Sequence, residues 1–162
     1  MYAVIADPSA ITTCNFFDAR RPNPTRACLF CWQGACTASG MTTFRDLEVW
    51  RRSMELSELC YRVTASFPRS ELFGLAGQMR RAAVSVAANV AEGHCRRSTK
   101  AFMNHVSIAL GSNGELSTLI ELSQRMGFIT REQRAELDGG NELIGRLLYG
   151  LHRALSARAA RN

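Results

Sequence analysis

From Met41 to its end the chain contains one proline, Pro68, and no stretch in which apolar and polar residues alternate. Apolar residues recur there at steps of three and four, the period of helices buried along one side. Few folds are open to such a chain, because each helix must cover its apolar stripe with another.

Four helices can be drawn. The first opens on a capping box, Thr43-x-x-Asp46, and ends at Phe67-Pro68, since the residue before proline avoids helical geometry. It carries two apolar stripes, Leu47, Trp50, Met54 and Tyr61 on one, Val49, Leu56, Cys60 and Val63 on the other. The second spans about 71–92, with Leu72, Leu75, Met79, Ala82, Val86 and Val90 as its core face and Gly93 as a left-handed exit. The third starts at Ser98 or Thr99, carries Phe102, Val106, Ala109, Leu116 and Ile120, and stops at Met126-Gly127. The fourth opens on a second capping box, Thr130-x-x-Gln133, and runs to about Ala157 with Ile144, Leu147, Leu148, Leu151 and Leu155 inward. Gly139-Gly140 lies within it, where a kink or a late start is expected. Short connections between long amphipathic helices predict an all-α, antiparallel up-down-up-down four-helix bundle.

Residues 1–40 read differently. They hold the other three prolines and four of the six cysteines, without helical or alternating period. Cys28, Cys31 and Cys36 form C-x2-C-x4-C, with Cys14 a fourth thiol, but only one pair has zinc-ligand spacing. No metal or other cofactor is therefore expected. The segment reads as an irregular or disordered leader, or as sequence upstream of a true start at Met41, and 41–162 as the bundle domain. Cys60 and Cys95 fall in helical contexts as small buried residues.

The formal net charge is +6, and all of the twenty basic residues but Lys100 are arginine. That balance favours acidic partners, nucleic acid before membrane. No apolar run is long enough to span a bilayer and no secretory signal pattern opens the chain, so a cytoplasmic protein is expected.

The second helix is unusual. Gln78, Arg81, Ser85, Asn89 and Glu92 form a polar seam beside its apolar stripe, while Val84, Ala87, Ala88 and Ala91 line its far side. With little surface left for water, the seam should be largely enclosed, and enclosed polar groups need partners. The segment GSNGE, 111–115, offers them: Ser112, Asn113 and Glu115 between two small glycines, with Glu115 or Glu92 neutralising Arg81. Such a seam either fixes helix register within a bundle or between subunits, or lines a ligand pocket.

Motifs of catalysis are missing: there is no H-E-x-x-H, G-x-S-x-G or glycine-rich phosphate loop. His94, His105 and His152 stand alone in sequence, so a non-enzymatic protein is expected. The candidate nucleic-acid contacts are Arg80 and Arg81, and Arg96, Arg97 and Lys100 near the start of the third helix, where exposed N–H groups favour an anion. The two groups mark opposite ends of the second helix. No aromatic residue interleaves with them in sequence, so a base-stacking platform is not indicated.

The segments FRDLEVWRRSMEL (44–56), FPRSELFGLAGQMRRAAVSVAANVAEGHCRRSTKAF (67–102) and IALGSNGELSTLIELSQRMGFI (108–129) resemble the four-helix-bundle family of 23S rRNA intervening-sequence proteins. The family pattern falls on Gln78, Arg80, Arg81, Ser85, Asn89, Glu92, Gly93, Arg97, Ser98, Phe102, Gly111, Ser112 and Glu115. Asn113 stands where leucine is usual, which is expected to loosen the third helix's contact, and Ala101 where an acidic residue is common. The resemblance implies a start near Met41, a barrel-like homopentamer and no established catalytic activity. Through a similar accessory protein of diversity-generating retroelements it implies nucleic-acid binding on a basic surface and a reverse transcriptase as protein partner.

Overall fold

The computed structural model describes residues 43–96 and 98–161. Four helices follow one another: α1 (Glu48–Thr64), α2 (Leu75–Cys95), α3 (Thr99–Arg125) and α4 (Arg131–Ala159). One-turn 3-10 helices precede α1 at Phe44–Asp46 and α2 at Arg69–Glu71. No strand occurs among the described residues. Each helix packs on the next, and α4 closes back on α1, which completes an all-α four-helix bundle. The leader proposed for 1–40, with its cysteines, lies outside the described residues.

The core takes in most of the residues that the three- and four-residue steps marked, and adds Leu119, Ile129, Leu137 and, on α2, Ala76, Ala83 and Ala87, the last of which was expected on the far side. Met79, Val90, Val106, Ala109, Leu116, Ile120, Leu137 and Leu148 have no exposed surface. Burying one such large side chain stabilises the fold by roughly 1.5–3 kcal/mol. Of the two stripes on α1, Val49, Leu56, Cys60 and Val63 enter the core, whereas Met54 and Tyr61 stay exposed. Burial also pushes the Cys60 thiol up to about 12, which leaves it inert. Cys95 departs from expectation, since it is exposed.

Helix ends follow local chemistry. Ser98 caps α3 by accepting the Ala101 N–H at 3.3 Å. Thr130 and Gln133 form the expected box, with Gln133 Oε1 accepting the Thr130 N–H at 2.9 Å and Thr130 Oγ1 the Gln133 N–H at 3.2 Å. The box at Thr43 also forms, its N–H donating to Asp46 at 2.7 Å, but it caps the 3-10 turn and not α1 itself. Gly127, at φ 72°, makes the left-handed exit from α3.

Several expectations require correction. α1 stops at Thr64, and Phe67 turns inward to pack on Phe128 at 5.4 Å between ring centroids. α2 begins at Leu75, because the chain first makes a 3-10 turn; Leu72 is consequently exposed and outside the core. Gly93 has no positive φ. It lies buried inside α2, where a Cβ would stand 2.6 Å from Phe102 Cδ2 and 2.7 Å from His105 Cβ. Its role is close approach of α3, and not helix termination. α4 runs unbroken through Gly139-Gly140; Gly140 faces Leu56, whose Cδ1 would lie 3.1 Å from an added Cβ.

Candidate functional site

The middle of the α2 seam is bonded to α3. Ser85 Oγ lies 2.9 Å from Ser112 Oγ, the partner expected from GSNGE. Asn89 Nδ2 donates to the Ser85 carbonyl at 2.8 Å and approaches Ser85 Oγ at 3.2 Å. That use of the amide nitrogen leaves Asn89 Oδ1 as an acceptor, and His105 Nδ1 meets it at 3.3 Å. The imidazole therefore carries its proton on Nδ1 at this contact. Its Nε2 faces Glu92 Oε1 at 3.7 Å. Arg96 Nη2 binds the same carboxylate oxygen at 2.6 Å. The Arg96 hydrogen bond, with the charge of His105 behind it, holds the Glu92 carboxyl below the usual carboxylate range.

Enclosure by a single chain covers only this middle portion. Ser85, Asn89 and Ser112 are half-buried, while Gln78, Arg81, Glu92 and Glu115 are exposed. The expected neutralisation of Arg81 does not occur: Glu92 is taken by Arg96, four residues on at the C-cap of α2, and Glu115 forms no ion pair among the described residues. His105 is the member that sequence reasoning missed. It lies two helical turns before Ser112 and so on the same face of α3, a spacing that could have placed it opposite Asn89.

Asn89→Leu should cost about 1–3 kcal/mol in urea unfolding, because it leaves the half-buried His105 N–H without its acceptor. Gln78→Leu, at an exposed position of the same row, should stay within about 0.5 kcal/mol. Equal effects would remove the distinction between a bonded middle and a solvated end.

The basic residues are placed unequally. Arg80 turns toward α1, donating from Nε to Thr64 Oγ1 at 2.7 Å with its guanidinium 5.0 Å from the centre of the Tyr61 ring. Arg81 is exposed and forms no ion pair among the described residues. Arg96 is committed to Glu92. Lys100 is exposed in the first turn of α3. Arg97 lies outside the described residues. Arg80 and Arg96 are about 24 Å apart along α2 at the helical rise, so the structure does not bring the two groups together. The fold does bring an aromatic ring to one of them, Tyr61, which the linear spacing could not reveal.

Across the bundle, α3 and α4 share a second polar contact. Arg134 bridges Glu121 at 2.6 Å and Asp138 at 3.0 Å and also bonds Gln124. Deeper, Asn141 Nδ2 donates to the Asn113 carbonyl at 3.2 Å, and the side-chain oxygens of both asparagines are buried without a protein partner. Among the described residues no three of His, Cys, Asp and Glu gather as a metal site. No helix among them is long and apolar enough to cross a membrane.

These features define a small four-helix-bundle protein whose second and third helices are joined by a half-buried polar seam. The chain belongs to the family described as 23S rRNA-intervening sequence protein, whose model matches residues 45–150. It is similar to a protein of unknown function from the S23 ribosomal protein family of Bacteroides thetaiotaomicron, known from a crystal structure. That match has 26% identity and a TM-score of 0.61, and it covers 65% of this chain and 95% of the other. Among curated proteins none matches the chain.

Proposed function

We propose that the protein is a non-enzymatic, oligomeric bundle that binds RNA or DNA through phosphate contacts from arginine and lysine. The observation that carries this reading is the presence of exposed cations, Arg81 and Lys100, that no carboxylate among the described residues neutralises. Phosphate is the anion such groups take up most readily from solution, with guanidinium able to bind it through two donors. Arg80 and Arg96 support the cationic surface, although their side chains also hold α1 and Glu92. Membership of a family described by an rRNA insertion agrees with a nucleic-acid partner.

Assembly into a homo-oligomer, with five copies as the resemblance implies, belongs to the same proposal. Exposed Gln78, Glu92 and Glu115 would then gain partners from a neighbouring copy. The rival reading is an assembly or adaptor protein that docks another protein, a reverse transcriptase for example. It is favoured by Ile108, Leu122 and Tyr149, which are 53%, 44% and 68% exposed.

Filter binding of the full chain to mixed RNA and DNA oligonucleotides separates the two. Retention should fall steeply between low and high salt, as counterion release requires. Arg96→Glu, Arg97→Glu and Lys100→Glu together should sharply reduce retention, with Arg80 and Arg81 left intact, while light scattering shows an unchanged oligomer. Absence of retention by the unaltered protein at low salt would defeat the nucleic-acid reading.

A further inference from the structure

The outer face of α2 carries an open groove of about 560 Å3 lined by Tyr61, Gly77, Arg80, Arg81, Val84 and Ser85. This volume lies within the roughly 300–1,000 Å3 of small-ligand sites. The bond from Arg80 to Thr64 places one side of the groove against α1, and the bond from Ser85 to Ser112 places the other against α3.

Three properties restrict its occupant. The charge is of one sign, since two guanidinium groups and no carboxylate line it. Arg80 is held in place by Thr64 and by the Tyr61 ring, so little side-chain freedom is lost when an anion arrives. The remaining wall is flat and apolar: Tyr61 is 50% and Val84 43% exposed, and glycine at 77 adds no side chain. Arg81 Nη1 lies 3.8 Å from where a Cβ on Gly77 would stand, so the guanidinium reaches over this small residue.

An anion joined to a planar, weakly polar ring matches all three. We infer that the groove binds an unpaired nucleotide, with the base against Tyr61 and Val84 and the adjoining phosphate on Arg81 and Arg80. A base inside a duplex is stacked on both faces and has no ring surface to offer, whereas a single strand does. The inference rests on the nucleic-acid reading above and deepens it from phosphate attraction to recognition of single strands.

The test uses the full chain, a fluorescent mixed-sequence single strand and the duplex of that sequence. Anisotropy at fixed salt should show the single strand bound more tightly. Tyr61→Ala should weaken single-strand binding about 5- to 150-fold, the effect of removing one stacked base, and leave duplex binding nearly unchanged. Tyr61→Phe keeps the ring and should bind as the unaltered protein does, which guards against a folding defect in the alanine variant. Val84→Glu should oppose the phosphate and weaken single-strand binding as well. Tyr149→Ala removes a still more exposed ring outside the groove and should have no effect. If both forms bind but Tyr61→Ala behaves as Tyr149→Ala does, the groove assignment is wrong and the phosphate reading stands. If neither form binds at low salt, both are wrong.

Discussion

Replacing Gly93 with alanine should destabilise the protein by about 1–3 kcal/mol, the usual cost of forcing extra atoms into a packed interface. Leucine there should cost more. Helix propensity alone argues the reverse, because alanine is favoured over glycine inside a helix by about 1 kcal/mol. Sterics decides the sign. The new methyl would stand 2.6 Å from the Phe102 ring and 2.7 Å from His105 Cβ, and neither neighbour is a free side-chain end. Phe102 packs edge-on against His94 at 5.9 Å, and His105 is tied to Asn89. Moving α3 away would stretch those contacts and the Ser85–Ser112 bond together. The comparison is with Gly111→Ala and Gly114→Ala on α3, where nothing lies within 4 Å of the added carbon. Those changes should stabilise by roughly 0.5–1 kcal/mol. Urea unfolding of the three variants reads both signs. Gly93→Asn adds a separate check: a left-handed helix exit would tolerate asparagine, whereas a close helix contact rejects it at least as strongly as alanine.

Gly93 also shows how far the sequence could be read. A glycine at the end of an apolar run followed by basic residues has the pattern of a helix stop, and the pattern is local. What sets its role is the ring of Phe102 on another helix, which no window along the chain contains. The same division recurs through the molecule. Core positions were legible because helical period is a property of one segment; the four helices and their order followed from it. The Ser85–Ser112 contact was legible because small residues and hydroxyl groups occur at matching places on two helices. His105 required the register between α2 and α3, and the Tyr61–Arg80 contact the packing of α1 on α2. Two stripes on α1 were visible, but their ranking was not, since Tyr61 and Cys60 are comparably apolar by composition and only the bundle decides which faces inward.

That ranking carries the second large effect. Leu56→Ala should cost about 2–5 kcal/mol, since Leu56 is 4% exposed and its removal leaves a cavity between α1 and α4. Met54→Ala, on the exposed stripe at 38%, should cost less than about 1 kcal/mol. Reversal of the two would mean that α1 presents its other face to the bundle. A coupled measurement locates the cavity. Gly140→Ala alone forces its methyl to 3.1 Å from Leu56 Cδ1, so Leu56 must shift and the gain in helix propensity is partly lost. With alanine at 56 the obstruction is gone, and the methyl at 140 enters the vacated space. Gly140→Ala should therefore be more favourable in the Leu56→Ala background than in the unaltered protein, by about 0.5 kcal/mol or more, the scale on which contacting residues depart from additivity. Additive effects of the two changes in urea unfolding would place Leu56 away from Gly140 and deny that α4 closes the bundle against α1 at this point.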